Sequence, residues 1–516
     1  MNLFEFMYEN RSELATQTLE HIGLTFGSLA VAVLLAVPLG VWIARRKGWA
    51  NLTLGIAGVL QTVPSIALLG FLIPFLGIGA KPAILALFLY ALLPILRNTY
   101  TGILSVDAAV KEAALGMGMT PRQVLLKVEL PLAMPVIFAG IRTATVINVG
   151  VATLAAYIGA GGLGEFIFGG ISLNNPNMIS AGALLAAVLA IIFDQLLAFL
   201  NRTPLRRLVR TAIPVSAVVP FFALLYFVPQ WSSSGLRIAF DPEFAGRTDG
   251  YPKLAALYKL NLNTKILNHG LLYRAAAEQE VDVICGYSTD GRIKAYDLTV
   301  LEDDKNAFPP YHCAPLIRKE LADAHPELAQ TLNLSAGRIN DSTMTLLNYR
   351  VDFNQEKPEA VAKDFLQQLK LWKPNRKDGG EKLTIGSKIF TEQYILAHLF
   401  AQLIEGYTDF DVTIKTGLGG TKICFDALQK GAIDLYAEYT GTGFLVLLNP
   451  SQTEINQLIT DGPALYDYVA KIFPEKYNLT WLQPLGFNNT YALIVKKELS
   501  VKEKLQQVSQ LAKLQK

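Results

Sequence analysis

The chain of 516 residues has only three cysteines, Cys285, Cys313 and Cys424, and five histidines. No cysteine stands in a C-x-x-C pair or beside a histidine cluster, so neither a zinc site nor a disulfide framework is expected, and no metal or cofactor is assigned. The C-terminal half lacks any lysine and arginine run with interleaved aromatics, and the net charge is only +3; nucleic acid is therefore excluded as a partner. A G-x-x-x-x-G-K-[ST] phosphate loop is also missing, because "GLGGTK" (417–422) has the wrong spacing. Nucleotide hydrolysis would have to come from another subunit. "GAGGLG" (159–164) fits G-x-G-x-x-G, but it follows an apolar run rather than a strand, so no dinucleotide is implied. No catalytic Ser/His/Asp, Cys/His or metal constellation stands out. The opening residues "MNLFEFMYENRSELATQTLEH" are acidic and amphipathic, unlike a cleavable signal peptide.

What the chain does have is apolar sequence, 51% of it, gathered at one end. Residues 1–230 hold long apolar runs near 22–43, 52–76, 82–104, 132–158, 178–200 and 211–229, each about long enough to cross a hydrocarbon core of about 30 Å. Six spans in a lipid bilayer are expected, with Pro64, Pro74 and Pro94 interrupting the second and third. Basic residues follow the first, third and fifth runs: Arg45, Arg46 and Lys47; Lys111, Arg122 and Lys127; Arg202, Arg206, Arg207 and Arg210. Those loops are cytoplasmic by the positive-inside rule, which puts the N-terminus and everything after residue 230 outside.

The loop between the third and fourth runs reads "EAALGMGMTPRQVLLKVELP" (112–131). Glu112, Ala113, Ala114, Gly118 and Pro131 make it resemble, over about 20 positions, the EAA signature of ABC-importer permeases. That resemblance implies a short coupling helix within 107–131 that docks on a cytoplasmic ABC ATPase subunit, in a permease that pairs with a second copy of itself. An all-α polytopic membrane domain of the ABC-importer type is expected.

Downstream of a short linker at 231–235, charged and amphipathic sequence takes over. The runs "LRIAF", "VDVICGY", "LTVLE", "LTIGSK", "DVTIKTG", "IDLYAEY" and "TYALIV" alternate with helical stretches such as "TEQYILAHLFAQLIEGY", the pattern of an α/β fold with helices on the sheet faces. A polar Gly/Pro-bearing stretch, "KPNRKDGGEK" (373–382), separates two portions, 236–372 and 383–516. The segments "IGSKIFTEQYILAHLFAQLIE", "GLGGTKICFDALQKGAIDLYAEYTGTGF", "PLGFNNTYALIV", "FDPEFAGRTDGYPKL", "VDVICGYSTDGRI" and "VLEDDKNAFPPY" resemble the substrate-binding proteins of the glycine betaine, carnitine and choline importers. A two-lobed, periplasmic-binding-protein-like domain (type II, Venus flytrap) is thereby implied, fused to its own permease. The portion that comes first here is usually second. Either the domain is circularly permuted through 373–382, or each portion completes its domain with the complementary portion of a second chain.

The resemblance carries ligand contacts onto this sequence one residue at a time. An aromatic cage falls on Tyr287, Tyr311, Tyr439 and Tyr491, and carboxylate contacts fall on Lys388, Arg247 and Thr442. The chemistry suits a betaine: a quaternary ammonium has no N–H to donate and is held by aromatic faces, while guanidinium, ammonium and hydroxyl groups take a carboxylate. Asn489 is a further possible contact, standing where some members carry an acid, and this counts against choline without excluding it. Choline, carnitine and ergothioneine remain alternatives to glycine betaine, and a solute-sensing membrane receptor remains an alternative to a transporter. Replacing Glu112 or Gly118 is expected to abolish ATP-driven uptake of labelled solute while leaving ligand binding intact; normal uptake by either variant would remove the coupling assignment.

Overall fold

The computed structural model describes residues 2–202, 236–375 and 380–514, and the chain divides into two compact units near residue 235. In the first unit α1 (Arg11–Arg45) is followed by α2 (Lys47–Thr62) and α3 (Ser65–Leu76), then by α4 (Ala80–Leu104) and the short α5 (Ala108–Gly116). A helical run Pro121–Ile158, most of it α6 (Leu130–Ala155), precedes α7 (Pro176–Arg202). By length and hydropathy α1, α4, the run containing α6, and α7 can each cross a membrane, and a fifth crossing is counted if α2 and α3 are one span. These helices fall on the first five expected runs; the sixth, 211–229, lies outside the described residues.

Helices α2 and α3 meet at 97°. Pro64 has no N–H to continue the α2 ladder and forces the residue before it out of helical geometry, so Val63 is extended. The Tyr90 hydroxyl donates to the Val63 carbonyl left over at this break. Pro94, by contrast, sits inside α4 without ending it. The helices approach closely at glycines: a methyl at Gly40 would lie 2.6 Å from Thr99 Cβ, and one at Gly140 would lie 2.7 Å from the Pro94 carbonyl oxygen, small-residue packing of the kind membrane helices favour. Two polar pairs link them. Asn148 Nδ2 donates to Ser28 Oγ at 3.0 Å, and Arg142 grips Asp194 through two hydrogen bonds of 2.8 and 2.7 Å.

The EAA segment forms α5, capped by Asp107, whose side chain accepts from Ala109 N at 2.9 Å. Glu112 and Ala113 are exposed on it, whereas Ala114 is buried. Gly118 turns the chain back with φ +84°, a conformation glycine adopts without a Cβ penalty, and Pro131 lies in the first turn of α6. Glu129 anchors the returning arm, accepting from Arg45 at 3.0 Å and facing Lys111 at 3.7 Å.

The second unit has ten strands among its described residues. The first portion supplies β1 (Ile238–Phe240), β2 (Thr264–Ile266), β3 (Val283–Tyr287), β4 (Leu298–Val300) and β5 (Cys313–Arg318), and then helix α8 (Asp341–Asp352). The second supplies β6 (Lys382–Gly386), helix α9 (Thr391–Tyr407), β7 (Asp411–Lys415), β8 (Leu435–Tyr439), β9 (Leu479–Trp481) and β10 (Tyr491–Lys496). One sheet runs β2-β1-β3-β10-β4 and the other β7-β6-β8-β5-β9. Each is mainly parallel around its first strand, with one strand from the other portion inserted antiparallel: β10 between β3 and β4, and β5 between β8 and β9. Two segments, 301–312 and 482–490, carry the chain from lobe to lobe, and they are tied by a bridge between His312 and Asn488 and by Asn489 N donating to Tyr311 O at 3.1 Å.

Strand β6 already begins at Lys382, inside the stretch expected as linker, and 376–379 lie outside the described residues. Both lobes are completed by strands of the same chain. Residues 236–516 produced alone are therefore expected to fold as a ligand-competent monomer; a species that folds only as a dimer in light scattering would point instead to exchange between chains.

Candidate functional site

The carboxyl ends of β3 and β8 are where the sequence places tyrosines. Tyr287 is the last residue of β3 and Tyr439 the last of β8, while Tyr491 opens β10 directly opposite Tyr287 in the ladder. Tyr311 and Asn489 lie on the two crossover segments, Lys388 follows β6, and Arg247 ends the short helix Pro242–Gly246 after β1. Thr442 ends the single turn Thr440–Thr442 that follows Tyr439. All eight residues line one cavity. Glu243, Phe390 and Thr421 complete its wall; sequence reasoning did not assign these three, although Phe390 lies within the quoted "GSKIFTEQ" and Glu243 precedes Arg247 by one helical turn.

The rings form a continuous aromatic surface. Phe390 stacks on Tyr287 with centroids 5.1 Å apart and on Tyr439 at 6.3 Å; Tyr287 stacks on Tyr491 at 5.4 Å, and Tyr311 meets Tyr491 edge-on at 5.8 Å. Tyr311 can come so near the Tyr439 turn because position 441 is glycine: a methyl group there would lie 2.8 Å from the Tyr311 ring. Two phenols are spoken for by buried carboxylates. Tyr311 donates to Asp249 at 2.7 Å and Tyr439 to Glu392 at 2.6 Å. Burial, reinforced by these acids, pushes both phenols well above their ordinary pKa, so they remain neutral donors.

Neither cation stands bare. Asp249 holds Arg247 through two hydrogen bonds of 2.8 and 2.6 Å, while Glu243, Thr421 and Thr442 take its remaining N–H groups at 3.2 to 3.3 Å. Burial opposes the Arg247 charge, but Asp249 foremost outweighs it and the guanidinium stays well above its ordinary value. Lys388 Nζ donates to Glu438 at 2.6 Å and lies 5.0 Å over the Tyr439 ring. Around the cavity two basic side chains, Lys388 and Arg247, thus meet four acidic ones, Glu243, Asp249, Glu438 and Glu392. Two polar atoms of lining residues, Asn489 Oδ1 and Tyr491 Oη, are buried without a hydrogen-bond partner, and a buried group of that kind calls for a ligand or water. The three cysteines are buried and unpaired, and burial raises their thiols, which leaves them unreactive.

An aromatic cavity between two α/β lobes, at the carboxyl ends of their strands, is the ligand position of a solute-binding domain; here it shares a chain with a bundle of membrane-length helices. The family profile described as "Substrate binding domain of ABC-type glycine betaine transport system" matches residues 230–368 and 381–516, more than half the chain. The chain belongs to that family. Residues 36–205 match "Binding-protein-dependent transport system inner membrane component". Among curated relatives, the choline transport system permease protein OpuBB of Bacillus subtilis (strain 168) is 49% identical over 201 residues, 39% of this chain and 93% of its own length. The glycine betaine/carnitine/choline transport system permease protein OpuCB of the same organism is 46% identical over 200 residues, 39% and 92% of the two chains. The osmoprotectant import permease protein OsmW of Salmonella typhimurium is 48% identical over 202 residues, 38% and 94%. Among solved structures, a glycine betaine/carnitine/choline ABC transporter is 39% identical, covering 27% of this chain and 51% of that one with TM-score 0.22.

The protein is thus an inner-membrane permease carrying its own extracytoplasmic binding domain, and membership in the importer permeases implies an ATPase partner. Removing Asp249 would leave Arg247 buried without its main counter-charge. Asp249→Ala is expected to cost about 3–5 kcal/mol of unfolding free energy in residues 236–516, measured by urea denaturation.

Proposed function

We propose that this chain is the membrane-spanning and substrate-binding subunit of an ATP-driven importer for glycine betaine or a related quaternary ammonium compatible solute, working as a homodimer with ATPase subunits on its EAA helices. The observation that carries the reading is the single cavity in which the rings of Tyr287, Tyr311, Tyr439, Tyr491 and Phe390 surround a space also reached by Arg247, Lys388 and Thr442. A trimethylammonium group fills such a space with methyl groups against ring faces, each contact giving about 0.5–2 kcal/mol. The carboxylate of a betaine would meet Arg247, Lys388 and Thr442, exchanging part of their present bonding to Glu243 and Glu438 for the ligand. A bound solute touches both lobes and so favours the closed form over the open one.

The order of the two portions is read as a circular permutation. Both flanks of the 373–382 joint lie in the second lobe, where the helix Pro358–Gln368 packs on α9, the helix next to β6. The opposite break falls in the first lobe: β1 starts there, and Gln507 and Ser509 bond Glu302 and Asp304 beside β4. Old termini that lie in the same lobe make a permutation cheap in folding terms.

A choline-type ligand is the second reading, favoured by the acidic balance around the cavity and by the unpartnered Asn489 Oδ1, which could accept from an alcohol. Calorimetry on the full chain in lipid nanodiscs with glycine betaine, proline betaine, carnitine, choline and ergothioneine is expected to show binding of at least the betaines. Binding of none would overturn the cage, and choline binding far above betaine would demote Lys388 and Arg247. Uptake by proteoliposomes containing the ATPase subunit separates a transporter from a sensor, which would bind solute and move none.

A further inference from the structure

We propose that Glu392, which does not line the cage cavity, makes the site prefer a permanently charged trimethylammonium group over an uncharged group of the same shape, acting through the Tyr439 hydroxyl and the Asn489 amide. This inference rests on the reading of the cavity as a quaternary ammonium site.

Glu392 lies in the first turn of α9 and is 2% exposed. Its Oε1 accepts from the Tyr439 hydroxyl at 2.6 Å and from Asn489 Nδ2 at 2.8 Å; its Oε2 accepts from Thr289 Oγ1 at 2.7 Å and from Asn348 Nδ2 at 3.2 Å. Amide nitrogens can only donate, so both carboxyl oxygens act as acceptors, the arrangement an ionised carboxylate favours. Burial pushes this carboxyl up, against those four hydrogen bonds; a cation arriving in the cage would favour the charged form in turn.

The other acids of the site differ in one respect. Asp249 and Glu438 each hold a basic side chain, Arg247 and Lys388, at 2.6 Å, whereas the four hydrogen bonds to Glu392 come from neutral groups. Its charge is solvated by hydrogen bonds but not cancelled, and in a water-poor interior its field reaches across one phenol ring into the cage. Two of its donors are cage residues. A phenol donating to a carboxylate is polarised so that its ring carries more electron density, which strengthens the attraction of the ring face for a cation. Asn489, by giving its Nδ2 to Glu392, keeps Oδ1 as the amide atom without a partner. A negative charge thus stands one side chain behind Asn489, where it attracts a cation without competing for contact with it. Glu392 is a positioning and polarising residue rather than a ligand contact.

The test compares choline with neohexyl alcohol, its uncharged isostere in which carbon replaces nitrogen, by calorimetry and by displacement on the full chain in nanodiscs. E392Q keeps the size, removes the charge and replaces one acceptor oxygen by an amide NH2, so that one pair of its present donors must turn to accept. Choline affinity is expected to fall roughly tenfold, and its ratio to neohexyl alcohol affinity by the same factor, with the neutral ligand little changed. Y439F keeps the ring, loses the donor and should move the ratio the same way; it decides the matter if E392Q does not fold. An unchanged ratio in a folded variant, including equal weakening of both ligands, would show Glu392 to be merely structural and overturn the inference. A wild type that binds neither choline nor glycine betaine is a different result, which removes the reading of the cavity itself.

Discussion

Neither sheet of the binding unit can be completed by the portion of chain that starts it. Strand β10 fills the gap between β3 and β4, and β5 fills the gap between β8 and β9, so the backbone hydrogen bonds of both sheets depend on residues from the far side of the 373–382 joint. An unfilled gap would expose the edges of buried strands, whose N–H and C=O groups are costly to leave unpaired. This constraint also builds the cage. Tyr491 sits opposite Tyr287, and Tyr439 opposite Cys313, because the inserted strands are held in those registers. A one-residue slip would turn each tyrosine to the other face of its sheet.

Electrostatics then settles what the cage can hold. Arg247 and Lys388 are buried, and each holds an acid at 2.6 Å. Desolvating a charge costs several kcal/mol unless a partner and further hydrogen bonds offset it, and Asp249 and Glu438 supply that offset before any ligand arrives. The cations are therefore oriented in advance. The rings are oriented as well, two of them through phenol hydroxyls on Asp249 and Glu392. Preorganised groups lose less entropy when a ligand enters.

Much of this is legible in the sequence. The strands beginning near Ile238, Val283, Leu298, Asp411, Leu435 and Tyr491 and the helix Thr391–Tyr407 follow from β-branched runs and helical periodicity, and the eight expected site residues gather at one cavity. Strand β5 is harder to read because Pro315 interrupts it; in the sheet its carbonyl accepts from Leu482 N, a role that needs no N–H. Strands β2 and β9, three residues each, lie outside the runs that read as strands. The bend between α2 and α3 is hidden because the apolar run continues through Pro64, and hydropathy reports length rather than direction. The counter-charges are harder to read: Glu438 stands beside Tyr439 but meets Lys388 from 50 residues away, and Asp249, only two residues from Arg247, becomes its partner through the local turn between two short helices.

The place of β10 in the chain has a consequence for how the protein is made. Residues 491–496 are the last strand of the described chain, yet they sit inside the sheet that starts at Ile238. As the polypeptide is delivered across the membrane, the first lobe waits through some 250 residues for the strand between β3 and β4, and the aromatic cavity waits for Tyr491. Domains that fold during synthesis usually close from the N-terminal side; this one is closed from its C-terminal side. A chain that ends before residue 491 holds every membrane helix described here but lacks Tyr491 and β10, so the aromatic cavity is complete only once that strand has been added.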